Sequence, residues 1–242
     1  MIKLAVSGCH GRMGQAITKL ALQKKDIFEI KALLEHKDHP KVNEPVEGIP
    51  VHTDNSVLKG SDVLIEFTLP EGTLTNLKAA VANNVRMVIG TTGFTAEQTE
   101  EIKAASAKIP IVFASNMSIG VNVLFKLIEI TSKKLGANAI NISETHHIHK
   151  KDQPSGTAKT MGEVAEQFSG LNVMDSIVAL RQGEVVGDHE IIFDSDEDIL
   201  TISHHAKDRT MFAKGALEAA KFLMDKENGL YNMQDVLGLA NI

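Results

Sequence analysis

A glycine-rich loop near the N-terminus constrains the fold more than any other feature of the sequence. The apolar run IKLAVSG (2–8) predicts a buried strand, and GRMGQAITKLALQKK (11–25) has the apolar spacing of a helix. Gly8, Gly11 and Gly14 occupy the turn between them, as in a dinucleotide-binding βαβ unit. Their spacing is GxxGxxG rather than the usual GxGxxG, so a plain strand-to-helix turn remains the alternative.

An acidic residue follows where such loops bind the ribose of the cofactor. Glu35 ends the next predicted strand (28–35), 21 residues beyond Gly14. A carboxylate at this point accepts hydrogen bonds from the ribose hydroxyls, which favours NAD. The adjacent His36, when protonated, would tolerate the 2′-phosphate of NADP, so NADH and NADPH both stay open. The alternative is that Glu35 is an ordinary surface carboxylate.

The remainder of the first half alternates apolar runs with helical patterns. The runs predict strands at 62–67, 85–90 and 109–115, and the helical patterns lie at 71–83 and 95–108. Strands that alternate with helices indicate βαβ units, and therefore an α/β, Rossmann-type domain with a parallel sheet. Thr95 and Gln98 have the spacing of a capping box at the start of the last helix.

The pattern changes after residue 116. A long predicted helix (118–136) is followed by a strand (138–149), a second helix (157–168) and three closely spaced strands, before a closing helix at 209–229. A run of strands joined by short turns predicts a second, α+β domain with a mixed or antiparallel sheet.

Composition excludes several classes of protein. A net charge of -6 and the absence of tryptophan argue against nucleic acid as the main partner. No apolar run approaches the roughly 18 residues that span a bilayer, and the N-terminal residues lack the n-region and h-region of a signal peptide, so we expect neither feature. Cys9 is the single cysteine, which excludes an internal disulfide, and it is either a reactive thiol or a small residue that fits the turn. We expect a cytoplasmic protein.

The segment ETHHIHKKDQPSGT (144–157) concentrates positive charge in an acidic chain. A metal site is disfavoured, because two lysines would repel a cation and strand alternation directs His147 and His149 away from His146. A solvated polar face is a second interpretation. The third is an anion pocket with acid–base chemistry, in which a helix N-terminus at Gly156 binds a carboxylate and the imidazole exchanges protons.

Six segments together identify a resemblance that runs nearly end to end. They are GCHGRMGQAI, EFTLPEGT, VIGTTGF, FASNMSIGVNVLFKL, ETHHIHKKDQPSGTA and VGDHEIIF. They resemble the 4-hydroxy-tetrahydrodipicolinate reductase family of the diaminopimelate–lysine pathway, also called dihydrodipicolinate reductases. The resemblance implies NADH- or NADPH-dependent reduction of the cyclic imine dicarboxylate formed from 4-hydroxy-tetrahydrodipicolinate, with loss of water, by a homotetramer.

The resemblance also implies domains and site residues. A dinucleotide-binding domain would comprise 1–116 plus 209–242, and a substrate-binding and tetramerisation domain 117–208. His146 matches the catalytic acid/base and Lys150 the proton donor, while His147, Gly156 and Thr157 match contacts to the substrate carboxylates. Cofactor contacts match Gly8, Cys9, His10, Gly11, Arg12 and Met13 at the pyrophosphate, Glu35 and His36 at the ribose, and Gly90, Thr91, Thr92, Ala114, Ser115, Asn116 and Met117 near the nicotinamide.

Two departures from the family pattern qualify these expectations. The segment 169–187 is shorter than the pattern, which puts the oligomer contacts of that region in doubt. His205 stands where the family usually has lysine or arginine, whereas Arg209 keeps its place. Two other functions remain open: a different two-domain Rossmann oxidoreductase, which predicts a less cationic pocket, and an NAD-sensing regulator without chemistry.

Overall fold

The computed structural model describes all 242 residues, and the chain divides into two compact units. The first unit comprises Met1–Ser118 and Thr210–Ile242, and the second comprises Ile119–Arg209. None of the helices combines the length and apolar character that crossing a bilayer requires.

The first unit is built on a sheet of seven parallel strands. Numbered along the whole chain, they are β1 (Ile2–Ser7), β2 (Phe28–Leu34), β3 (Val51–His52), β4 (Val63–Glu66), β5 (Arg86–Ile89), β6 (Pro110–Phe113) and β11 (Gly229–Tyr231). Their order is β11-β6-β5-β4-β1-β2-β3. The chain therefore runs from β1 to one side of the sheet and then returns to the other, which opens a crevice at the carboxyl ends of β1 and β4.

Helices cover both faces of this sheet. The helices of the unit are α1 (Arg12–Gln23), α2 (Pro70–Ala82), α3 (Ala96–Ser106), α6 (Thr210–Leu223) and α7 (Met233–Val236). Leu4 and Val6 of β1 lie in one apolar core with α1 and α6, whereas Ala5 lies in the other core with α2 and α3. Burial on both faces explains why these strands are continuous apolar runs.

The second unit has a mixed four-stranded sheet in the order β10-β9-β7-β8. Its elements are α4 (Ile119–Lys134), β7 (Ala139–His146), α5 (Gly156–Ser169), β8 (Ile177–Arg181), β9 (Asp188–Asp194) and β10 (Ile199–His205). Strand β7 pairs with β8 in parallel and with β9 antiparallel. Apolar side chains of α4 and α5, such as Val121 and Met161, pack with Ile142 and Phe193 of the sheet in one core.

The predicted α/β and mixed-sheet architecture is confirmed, and so is the capping box of Thr95 and Gln98. The predicted helix at 209–229 is wrong at its end, because α6 stops at Leu223 and Gly229–Tyr231 forms the edge strand β11. Strands β3 and β11 have only two and three residues, which is too short for a period-2 pattern to reveal them.

Candidate active site

The glycine loop of the first unit is shaped by close backbone packing. Gly8 has φ +65°, a conformation that favours glycine, and its carbonyl accepts a hydrogen bond from the Gly11 N–H at 2.9 Å. A Cβ added to Gly14 would lie 2.2 Å from the Gly8 carbonyl oxygen. Only glycine therefore allows α1 to approach β1 this closely, which is the geometry that a pyrophosphate-binding turn requires.

The N-terminus of α1 and the carboxylate of Glu35 complete this loop. The N-cap residue, Gly11, offers no side chain to the first N–H groups of α1, so those groups suit an anion. Glu35 accepts a hydrogen bond from the His10 N–H at 3.0 Å and another from the His36 N–H at 2.9 Å. The carboxylate thus ties the end of β2 to the glycine loop, and the residues present fit a dinucleotide.

The remaining predicted cofactor residues of this unit differ in exposure. Thr92 and Ser115 are exposed, Gly90, Ala114 and Asn116 are half-buried, and Thr91 is buried. The side chains of Cys9 and Met117 lie in the apolar core, so these residues have only their backbone to offer. Burial, reinforced by the nearby charge of Glu35, raises the pKa of the Cys9 thiol to about 12, which makes it an unreactive core residue.

A buried polar network that the sequence analysis missed lies beneath these loops. Glu66, at the end of β4, is fully buried and accepts hydrogen bonds from the Asn76 side chain at 2.7 Å and the Thr68 N–H at 3.1 Å. Burial raises the pKa of Glu66, although these hydrogen bonds oppose that effect. Thr73 donates to the Thr91 hydroxyl at 2.9 Å, so α2 is tied to the loop that follows β5.

In the second unit, His146 lies at the end of β7 beside a buried carboxylate. Its Nδ1 contacts Oε2 of Glu144, and both residues are less than a tenth exposed. Burial lowers the pKa of His146, the hydrogen bond and charge of Glu144 oppose this, and the charges of Lys150 and Arg181 add to the lowering. An added Cβ on Gly187 would lie 2.9 Å from Nε2 of His146, so this glycine leaves space for the ring.

Lys150 lies in the loop between β7 and α5, where it meets Asp152. The Lys150 Nζ is 2.8 Å from Oδ1 of Asp152. Burial alone would raise the pKa of Asp152, but Lys150 and the backbone N–H groups of Asp152 and Gly156 lower it. Asp152 therefore interacts with two of the residues predicted to meet the substrate. Ser155 caps α5 by accepting the Ala158 N–H at 3.2 Å, as expected for an N-cap residue.

The sequence predicts that His147 and His149 point together and away from His146, and the ring centroids of His147 and His149 lie 6.1 Å apart. His147 is half-buried, and its Nε2 lies 3.4 Å from Nη2 of Arg209. His149 is exposed and pairs at 3.8 Å with Glu184. His146 instead stacks edge-on against His189 of β9, with ring centroids 5.1 Å apart. His189 lies in the quoted segment VGDHEIIF, but the sequence assigned it no role, because the contact with His146 is created by the sheet register.

Three buried side chains of this unit carry ligand atoms within 4.8 Å of one another, namely Glu144, His146 and His189. Both oxygens of Glu144 already accept hydrogen bonds, and the Arg181 guanidinium lies 3.1 Å from one of them. A metal ion would have to displace the His146 N–H and share the carboxylate with a fixed cation. The donor set therefore suits proton handling better than metal binding, and the absence of a metal stays a prediction.

Two family models match the chain. The model for the N-terminus of dihydrodipicolinate reductase matches residues 2–117, and the model for its C-terminus matches residues 120–237. The 4-hydroxy-tetrahydrodipicolinate reductase of Nitrosomonas eutropha is 42% identical, with 99% of each chain covered. That of Pelagibacter ubique is 40% identical, with 98% of each covered.

A comparison of structures supports the fold. A dipicolinate-bound dihydrodipicolinate reductase from Paenisporosarcina sp. TG-14 superimposes with a TM-score of 0.83 at 24% identity, covering 97% of this chain and 98% of that one. The alignment with the Nitrosomonas relative extends over 266 positions, more than the 242 residues of this chain. That relative therefore contains residues that this chain lacks, and the shortening of the segment 169–187 stays a prediction.

Proposed function

This chain belongs to the dihydrodipicolinate reductase family, and we propose that it reduces the dehydrated cyclic imine of 4-hydroxy-tetrahydrodipicolinate to tetrahydrodipicolinate with NADH or NADPH. This reaction belongs to diaminopimelate and lysine biosynthesis. A cytoplasmic location remains a prediction.

One observation carries the assignment of the reacting groups. A buried imidazole with a carboxylate partner, His146, lies in the same unit as the half-buried Lys150 and the N-terminus of α5 at Gly156. This combination can exchange a proton with the reduced imine, and it offers positive charge and a helix N-terminus to bind the substrate carboxylates.

The roles of the residues follow from the electron flow. When bound, the nicotinamide cofactor supplies a hydride. Addition of a hydride to a conjugated imine leaves an electron-rich enamine, whose carbon must then gain a proton. Lys150 is our choice of donor, because its ammonium carries a transferable proton. His146 orients the developing charge and shares the proton transfer, while His147, Gly156 and Thr157 bind the carboxylates.

The residues of the first unit would bind the dinucleotide. The backbone from Gly8 to Met13 would face the pyrophosphate, with the charge of Arg12 nearby. Glu35 favours NADH, because a 2′-phosphate would approach its carboxylate. Nδ1 of the exposed His36 lies 3.7 Å from Oδ2 of Asp38. The Asp38 carboxylate adds a second negative charge near Glu35. We therefore propose that NADH binds more tightly, and calorimetric titration of both cofactors tests this.

A homotetramer is also part of the proposal. Val178 and Leu180 of β8 and Ile199 of β10 are all more than half exposed, and strand alternation places them on the sheet face opposite the α4–α5 core. Apolar side chains in such a position favour burial against another copy. Light scattering on the wild type and on Leu180→Lys tests this, because the variant should yield smaller species.

One assay tests the activity itself. NADH consumption is followed by absorbance with enzymatically generated 4-hydroxy-tetrahydrodipicolinate, and we expect turnover that depends on this substrate. A different Rossmann oxidoreductase would instead turn over a neutral or monoanionic substrate. A regulatory protein would bind NADH without consuming it, and either result would overturn the proposal.

A further inference from the structure

The carboxylate of Glu144 joins three parts of the second unit. The residue is 1% exposed. Its Oε2 contacts Nδ1 of His146, and its Oε1 accepts the Ser155 N–H at 3.1 Å and Nη1 of Arg181 at 3.1 Å. An ionised carboxylate tolerates such burial only when it is paired and hydrogen-bonded, and these donors meet that requirement.

Arg181 extends the same network to the loop that carries Lys150. Its Nε donates to the Lys150 carbonyl at 3.3 Å, and its Nη2 donates to the carbonyl of Asp152. The side chain is 14% exposed and projects from the last residue of β8, so the sheet fixes its position. The planar guanidinium thus holds the loop backbone and Glu144 at the same time, which a lysine ammonium cannot reproduce.

We propose that Glu144 and Arg181 are positioning residues, an ion pair that fixes the ring of His146 and the loop of Lys150 in one arrangement. Glu144 accepts the Nδ1 proton, which leaves Nε2 of His146 as the atom that exchanges protons with the substrate. Arg181 holds the carbonyls on both sides of residue 151. The inference rests on the proposed function only where it gives His146 and Lys150 their roles.

The charged groups that face His146 determine how the two substitutions should differ. Glu144 lies on its own strand, Arg181 on β8, His189 on β9, and Lys150 in the following loop. Loss of the Glu144 charge should lower the pKa of His146, because this carboxylate favours the imidazolium. Loss of the Arg181 charge should raise it, because the guanidinium opposes the imidazolium.

The test is an NMR titration of the full-length protein with labelled histidine, in which His146→Gln assigns the His146 signals. Glu144→Gln should move the His146 pKa down and Arg181→Gln should move it up. In Glu144→Gln the proton should no longer be confined to Nδ1, which the ring nitrogen shifts report. Both variants should lose about 10- to 100-fold in kcat, the value of a hydrogen bond to a charged group, with the NADH Kd unchanged.

Two further variants keep the test decisive. Glu163→Gln makes the same chemical change at an exposed position of α5 and should alter neither kcat nor the His146 pKa. Arg181→Lys keeps the charge but loses the planar fork, so kcat should fall while the His146 pKa stays. If Glu144→Gln does not fold, the two Arg181 variants carry the test.

Shifts of the His146 pKa in the same direction in the Glu144→Gln and Arg181→Gln variants would overturn the proposal, as would unchanged kcat in the Arg181 variants. Failure of the proposed function is distinguishable. In that case the wild type would not consume NADH with the substrate, whereas the opposite NMR shifts would still occur.

Discussion

The two candidate binding regions of this protein are built in opposite ways. The glycine loop of the first unit is a backbone structure, in which the absence of side chains at Gly8 and Gly14 permits the close approach of β1 and α1. The region around His146 is a side-chain structure, in which a buried carboxylate and a guanidinium from different strands hold the ring and the loop. The first region therefore depends on positions without side chains, and the second depends on charged side chains that pair with each other.

The largest expected effect sharpens this contrast. His146→Ala and Lys150→Ala should each lower kcat by roughly 10²- to 10⁴-fold, the usual contribution of a general acid or base. Neither should change the NADH Kd, because the glycine loop is intact. Steady-state kinetics and calorimetry measure both quantities.

The matched change in the backbone site is Arg12→Ala, which removes an exposed side chain next to the loop. It should alter the NADH Kd by no more than about tenfold, as exposed charges do. Near wild-type kcat in both His146→Ala and Lys150→Ala would contradict the assignment of His146 and Lys150 as reacting groups.

The second prediction concerns the pH dependence of stability. Burial, with the charges of His146 and His204, lowers the pKa of His189 to about 4. Unfolded histidine titrates near pH 6.5, so the unfolded chain binds more protons between these values. The free energy of unfolding that depends on neutral His189 is therefore fully present above about pH 6.5. It is lost as the pH falls toward 4, a decrease of about 3 kcal/mol.

Urea unfolding of wild type and His189→Asn across this range measures the effect. In His189→Asn the free energy of unfolding should decrease much less as the pH falls. His36→Gln, at an exposed position beside the glycine loop, should keep it. Equal pH dependence in wild type and His189→Asn would show that the buried imidazole does not contribute.

The third prediction compares two glycines near helix N-termini. Gly14→Ala places a Cβ against the Gly8 backbone and should destabilise the protein by about 1–3 kcal/mol, with weaker NADH binding. Gly156→Ala meets nothing within 4 Å and should fold normally. Because its new methyl group lies at the proposed carboxylate site, it should raise KM for the dicarboxylate by about tenfold, the value of one charged hydrogen bond.

Thermal unfolding, calorimetry with NADH and substrate kinetics separate these outcomes. If Gly156→Ala changed only the NADH Kd, the helix end at residue 156 would not be a substrate site. If Gly14→Ala kept full stability and affinity, the close packing of the loop would not be required.

The smallest effect is expected at Asp152. Its carboxylate pairs with Lys150 and interacts with the Gly156 N–H, so it competes with a substrate carboxylate for the same groups. Asp152→Asn should therefore lower KM by about two- to fivefold, since an exposed ion pair contributes little. Asp175→Asn, on an exposed turn, is the control. A raised KM with reduced kcat would instead show that Asp152 positions Lys150.

Much of the first unit could be predicted from the sequence because its signals are local. Continuous apolar runs mark strands buried on both faces, and the glycine spacing marks a turn whose geometry is set within seven residues. The boundaries of β1 and α1 differ from the predicted ranges by two residues or fewer. The edge strand β11 could not be predicted, because three residues next to a helix have no periodicity of their own.

In the second unit, the signature around His146 supplied the candidates for the reacting residues, whose roles stay a prediction, but not the groups that contact them. Glu144 was visible as a signature residue without a role, and Arg181 and His189 were not singled out. Arg181 reaches the network because β8 pairs in parallel with β7, which aligns it with His146. His189 reaches it because β9 pairs antiparallel, which places it opposite Glu144.

The sequence by itself determined the family, the two types of sheet and the chemistry of the loops, since each follows from neighbouring residues. The tertiary structure alone decided that a buried carboxylate holds the imidazole at Nδ1, that a guanidinium from another strand holds the lysine loop, and that Cys9 is part of the core. These facts depend on strand register and burial. Strand register and burial arise only when segments that are distant along the chain pack together and exclude water. A buried charge must then be stabilised by the protein groups that the fold places beside it.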